Sequence, residues 1–219
     1  MRRTWDALAG AESSVYVGDP ATGASELEGL FGRLGADPRG GLCVEVGCGP
    51  GRMTGALAER FDRVLALDVS PAMLERARAS VTAPNVTFRA VPGDRLEGVE
   101  GGSADALVCY LVLQHLPSDA VVRSYLREFA RVLAPHGEAF VQVPVLEGAA
   151  GRLRRALRAP LLRLARRPEH GAAFRGFRLT RRELDGALAD AGLEVLAEDE
   201  GPSAYRHSRD RFLLLARAT

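Results

Sequence analysis

The chain has 219 residues, 47% of them hydrophobic and 26% charged, with a net charge of +1. That length accommodates one α/β domain with a sizeable core and not two full ones, and the composition is that of a globular protein rather than a disordered one. No apolar run approaches the roughly 20 residues of a membrane-spanning helix, and Met1–Asp6 lacks the apolar segment of a secretory signal, so a cytoplasmic location is expected.

All 29 basic residues are arginine, with no lysine or isoleucine and a single asparagine, Asn85. GC-rich codon usage explains that bias, so an arginine here says less than usual about its site. The three cysteines, Cys43, Cys48 and Cys109, form no C-x-x-C pair, and the four histidines are scattered. Neither a disulfide framework nor a metal site is expected.

In chain order, residues 4–10 and 25–34 read as helices, the second opening on Ser25 with Glu28 three residues on, a capping-box pattern. Leu42–Val46 is an apolar run that reads as a buried parallel strand. It ends in Gly47-Cys48-Gly49-Pro50-Gly51, followed by a crossover helix over 53–60 and a second apolar strand over 64–69. Ser70-Pro71 opens the next helix, with proline at its first position. Strand three is expected at 86–90, strand four at 106–110, an amphipathic helix over 121–133 and strand five at 138–143. Thr180 caps a helix that Gly192 stops, and 193–197 and 212–216 read as two final strands in an antiparallel pair. Strands alternating with helices at this spacing form a parallel sheet with right-handed crossovers.

The turn after strand one carries the chemistry. Glycine is needed where backbone turns tightly against a ligand with no Cβ in the way. A dinucleotide site reads G-x-G-x-x-G and faces a pyrophosphate. Here the glycines are Gly47, Gly49 and Gly51, and Arg52 stands where the third dinucleotide glycine would fall. That looser turn suits an adenosine cofactor without phosphate, such as S-adenosylmethionine. Asp68, at the end of strand two, can hold both hydroxyls of a ribose. Glu45 places a negative charge suited to an ammonium or sulfonium.

Residues 44–53, 64–77 (VLALDVSPAMLERA) and 105–116 (DALVCYLVLQHL) resemble the motifs of class I S-adenosylmethionine-dependent methyltransferases of the methyltransferase type 11 kind. The resemblance covers residues 40–145 well and 178–219 passably. It implies a Rossmann-like, seven-stranded, mostly parallel sheet with helices on both faces, the last strand antiparallel, and a helical lid insertion after strand five. The whole chain would be a single methyltransferase domain, with 1–40 a helical cover and 149–179 an arginine-rich lid. Within 149–182 there are eleven arginines and one acid, a net of +10. The readings of that stretch are a solvated lid face, an attraction for anionic substrates, a membrane-surface helix and, last, RNA binding, which lacks an aromatic-interleaved basic patch.

The resemblance also implies a site. Cofactor contacts would come from Glu45, Gly47, Cys48, Gly49, Gly51, Asp68, Val69, Met73 and Cys109, with Asp94 and Arg95 beside the adenine and Tyr16 contributed by the N-terminal cover. Arg95 departs from the apolar or small residue usual after that aspartate. His115, just past strand four, is either a general base or a loop anchor, with Tyr110, Gln142 and Glu147 as other polar groups at strand ends. The expected activity is methyl transfer to an O, N or C atom of a small metabolite, with S-adenosylhomocysteine as product. The motif Asn-Pro-Pro-Tyr of nucleic-acid amino-methyltransferases is replaced by Cys109-Tyr110-Leu111-Val112, which weighs against DNA substrates. The alternatives are a cofactor-binding cyclase or decarboxylase that transfers no methyl, and an RNA methyltransferase. An oligomer is compatible with the sequence.

Overall fold

The computed structural model describes residues 2–9, 20–149, 151 and 178–218. A short helix α1 (Arg2–Ala9) precedes α2 (Gly23–Arg33), β1 (Leu42–Val46), α3 (Thr54–Ala58), β2 (Arg63–Asp68), α4 (Pro71–Ser80), β3 (Val86–Ala90) and β4 (Ala104–Cys109). Then follow α5 (Asp119–Val132), β5 (Leu133–Leu146), α6 (Arg181–Ala191), β6 (Leu193–Pro202) and β7 (Ser208–Arg217). The seven strands form one sheet in the order β3-β2-β1-β4-β5-β7-β6. β7 runs antiparallel to both of its neighbours, and the other strand pairs are parallel. The strand order reverses direction at β1, which places a crevice above the carboxyl ends of β1 and β4.

Successive side chains of a strand point to opposite faces, and each face has its own core. Val44, Val46, Leu107, Cys109, Val141 and Leu213 join α5 and α6 on one side. Cys43, Ala106, Val108, Phe140, Phe212 and Leu214 pack beneath Leu27, Leu30 and Phe31 of α2 on the other. Burial of both faces explains why the inner strands read as continuous apolar runs rather than alternating ones. On α5, Val122, Tyr125, Leu126, Phe129 and Val132 are buried at helical spacing. The box on α6 is complete, with Thr180 and Glu183 capping each other and Gly192 ending the helix at φ +70°.

Several boundaries differ from the sequence reading; β7, for one, starts at Ser208 rather than at 212. α2 starts at Gly23, so Ser25 lies inside its first turn and bonds back to the Thr22 carbonyl at 2.9 Å. The hydroxyl that meets a glutamate is that of Thr22, 2.7 Å from Glu26. β5 starts at Leu133, because a register shift between Ala104 and Ala106 draws the turn-like Pro135-His136-Gly137 stretch into the strand. β6 runs through the polar stretch Glu198–Pro202, whose charges are paired: Arg211 of β7 meets Glu198 and Glu200, and Arg33 of α2 meets Asp199. Ion pairs hold an edge that has no apolar pattern. The expected insertion over 149–179 lies outside the described residues for nearly all its length.

Candidate active site

The glycine turn leaves β1 and folds back on β2: the amides of Gly47 and Cys48 both donate to the Leu67 carbonyl, at 2.7 and 2.9 Å. Gly47 has φ +74°, and a Cβ there would lie 2.4 Å from Val112 Cγ2. Backbone at this point therefore approaches the loop after β4 more closely than a side chain permits. Gly51 has φ +88° and packs against α4, where a Cβ would meet Val81 at 2.9 Å. Gly51 shapes the turn from behind.

Asp68 ends β2 and organises the crevice. One carboxylate oxygen accepts the Gly49 amide at 2.9 Å and the other the Ser70 amide at 2.8 Å. Burial raises its pKa, against the lowering effect of those amides. Glu45 lies deeper. Its carboxylate accepts the Thr54 hydroxyl at 2.6 Å, and burial pushes its pKa up to about 7, with Asp68 adding to the rise. A buried carboxyl poised to ionise at neutral pH is stabilised as an anion when a cation arrives. Two buried carboxylates, a glycine cradle and an apolar floor fit a cationic, adenosine-bearing cofactor. Asp68 would hold its ribose, Glu45 would face its positive end, and Met73 and Val69 would pack on it.

Around these groups is a cavity of about 340 Å³. Of the residues expected to form the site, Glu45, Gly47, Cys48, Gly49, Asp68, Val69, Met73 and His115 line it together. The structure does not bring Gly51, Cys109, Asp94 or Arg95 to its wall. Cys109 faces the α5 core. Asp94 is 55% exposed and hydrogen-bonds Arg95 at 3.3 Å; Arg95 in turn reaches Glu97. Val91, at the mouth of β3, lines the cavity instead. Tyr16 lies outside the described residues.

His115 ends a single 3₁₀ turn over Leu113–His115. Its ring meets Trp5 of α1 edge to face, with centroids 5.1 Å apart and planes at 82°. Helix α1 is tied to α4 by a 2.6 Å bond from Ser70 to Asp6 and one of 3.0 Å from Arg76 to the Ala9 carbonyl. An N-terminal helix thus closes one side of the cavity with the chain's only tryptophan. Sequence reasoning passed over Trp5, and nothing in its local pattern marks it, because the contact joins segments far apart in the chain.

Past β4 the backbone is strained. Leu111 adopts φ +58°, uncommon for a residue with a Cβ, and its amide donates to the buried Gln142 side chain at 3.1 Å. Leu111 and Val112 line the cavity. Strain held by a buried amide beside a cavity is where binding loops store precision. Arg52 also lines the cavity and is ion-paired to Glu26. Tyr205 and Asp210, from the β6–β7 turn and from β7, complete the far wall.

The methyltransferase domain family matches residues 44–141. The ubiquinone biosynthesis O-methyltransferase of Xanthomonas axonopodis pv. citri is 28% identical over 217 residues, covering 98% of this chain and 84% of that one. Among solved structures, a SAM-dependent methyltransferase of Leishmania major superposes with a TM-score of 0.71 at 15% identity, over 97% of this chain and 80% of that one. Magnesium protoporphyrin IX methyltransferase from Synechocystis, solved with bound SAH, gives 0.64 at 17% identity, over 99% and 94%.

Proposed function

We propose that this chain is a class I S-adenosylmethionine-dependent methyltransferase and that its methyl acceptor is a small-molecule metabolite bound in the cavity above β1 and β4. The observation that carries the proposal is the cavity itself. Its volume, about 340 Å³, is of small-molecule scale, and it lies where ligands bind in doubly wound sheets.

The bound cofactor supplies an electrophilic methyl on a sulfonium. The protein's part is to position and to exclude water. Asp68 fixes the glycine turn and offers its carboxylate to a ribose. Glu45 neutralises positive charge from below. Trp5, Met73 and Val112 dry the walls, and the ring of His115, pinned against Trp5, stands beside the acceptor and is the residue proposed to take a proton from it. An oxygen acceptor is favoured by likeness to the O-methyltransferase above, and the cytoplasm is the proposed location.

The test is isotope transfer. Purified protein incubated with methyl-labelled cofactor and a panel of hydroxylated metabolites should yield labelled small-molecule product and S-adenosylhomocysteine. Cofactor binding with no label in any small-molecule product, or with label in added RNA instead, would overturn the small-molecule reading.

A further inference from the structure

We propose that Asp210 is the acceptor-recognition residue of the pocket, and that the group it receives is the hydroxyl of a neutral aromatic acceptor. The proposal rests on the small-molecule methyl-transfer reading above and deepens it.

Residues 210, 212 and 214 of β7 share a face, and Phe212 and Leu214 are buried in the core beneath α2. Across the sheet they pair with Gln142 and Phe140 of β5, and Asp210 pairs with Pro144. A core-facing row thus ends, at the cavity wall, in a carboxylate. One oxygen of Asp210 is buried without a hydrogen-bond partner. Lining the same cavity, Gln114 is only 4% exposed, and its amide oxygen is also buried and unpartnered. Burying an acceptor with nothing to accept from costs free energy. Both residues line one cavity, so a donor that arrives with a ligand, met by a rotation of either side chain, satisfies an oxygen that the protein alone leaves unpaired.

The neighbours define that ligand further. Tyr110 and Tyr205 flank Asp210: burial raises both phenol pKa values, and the carboxylate of Asp210 contributes to both rises. With Trp5, His115 and Tyr125 the wall offers five rings, the surroundings of a flat, aromatic molecule. The charged groups lining the cavity among the described residues are Glu45, Asp68, Asp210 and Arg52, and Arg52 is already paired to Glu26. That balance repels an anionic head and favours a hydroxyl, which donates to Asp210 while the group to be methylated faces His115.

The test uses the full chain saturated with S-adenosylhomocysteine, probed by ligand-detected NMR with catechol and, for comparison, benzoate. Catechol should bind at least tenfold more tightly than benzoate, and Asp210→Asn should weaken catechol about tenfold while S-adenosylhomocysteine affinity stays within twofold. A second measurement needs no ligand: Asp210→Asn, which removes the charge on a carboxylate with one buried, unpartnered oxygen, should raise the melting temperature by about 2–4 °C, the shift expected of roughly 1 kcal/mol in a chain of this length. Benzoate binding as tightly as catechol, no detectable catechol binding, an unchanged catechol affinity in the variant, or a lowered melting temperature would each overturn the proposal while cofactor binding persists. A wild-type protein that binds no S-adenosylhomocysteine would overturn the parent reading as well.

Discussion

Replacing Glu45 with glutamine tests the electrostatics of the cofactor site directly. Burial holds the Glu45 carboxyl at a pKa of about 7 against a usual 4.5, with a hydrogen bond from Thr54 working the other way. Bound next to a cation, the group stays ionised well below pH 7, so binding releases a proton wherever the free protein carries one. Affinity for S-adenosylmethionine should then fall as pH falls through 7. With a free-state pKa of about 7 the protonated fraction rises from about a tenth to about ten-elevenths between pH 8 and pH 6, which corresponds to about tenfold weaker binding at pH 6. Glu45→Gln keeps an acceptor for Thr54 and should abolish that slope. Stability should change in the opposite sense. A folded pKa above the unfolded one means stability is fully present below pH 4.5 and lost as pH rises through 7, by up to about 3 kcal/mol. The cofactor-free Glu45→Gln variant should therefore be more stable than the wild type at pH 8, at the expense of affinity. Calorimetry at pH 6 and pH 8 and urea denaturation at the same values are the assays. A wild-type affinity that does not weaken toward pH 6, or a slope that survives Glu45→Gln, would refute the reasoning.

Asp68→Ala should weaken cofactor binding by about 1.5–3 kcal/mol, the scale of hydrogen bonds to a charged group, and Asp68→Asn by less, since its amide oxygen can still accept the Gly49 or Ser70 amide; calorimetry distinguishes them. Gly47→Ala should lower both stability and cofactor affinity, because its Cβ would sit 2.4 Å from Val112 Cγ2 at φ +74°. Adding Val112→Ala should recover part of the stability in a denaturation series, leaving the dihedral strain of about 1–3 kcal/mol. His115→Ala should reduce turnover about 10²–10⁴-fold with cofactor affinity nearly unchanged if the imidazole accepts the proton; joint loss of melting temperature and cofactor affinity would make it an anchor for Trp5 instead.

Local pattern was enough for the frame of this protein. The seven strands, the crossover helices, the Ser70, Thr180 and Gly192 signals and the antiparallel final pair are legible because each is written in contiguous residues: apolar runs where strands are covered on both faces, and cap residues where helix ends need partners. The same holds for the glycine turn with Glu45 and Asp68, since a strand, a tight turn and a second strand end follow one another within about thirty residues in any such fold. Polar edges were less legible. The reach of β6 through Glu198–Pro202 depends on charges supplied by Arg211 and Arg33, which no window of β6 contains. The acceptor side was legible only in part, through His115, Tyr110 and Gln142 at strand ends. Trp5 meets His115 across 110 positions of chain, Gln142 holds the strained Leu111 amide from a neighbouring strand, and Asp210 faces the cavity only because β7 inserts antiparallel between β5 and β6. Sequence patterns record what each segment buries. Which unrelated segments share a wall is set by strand order and helix docking, and those belong to the tertiary structure alone.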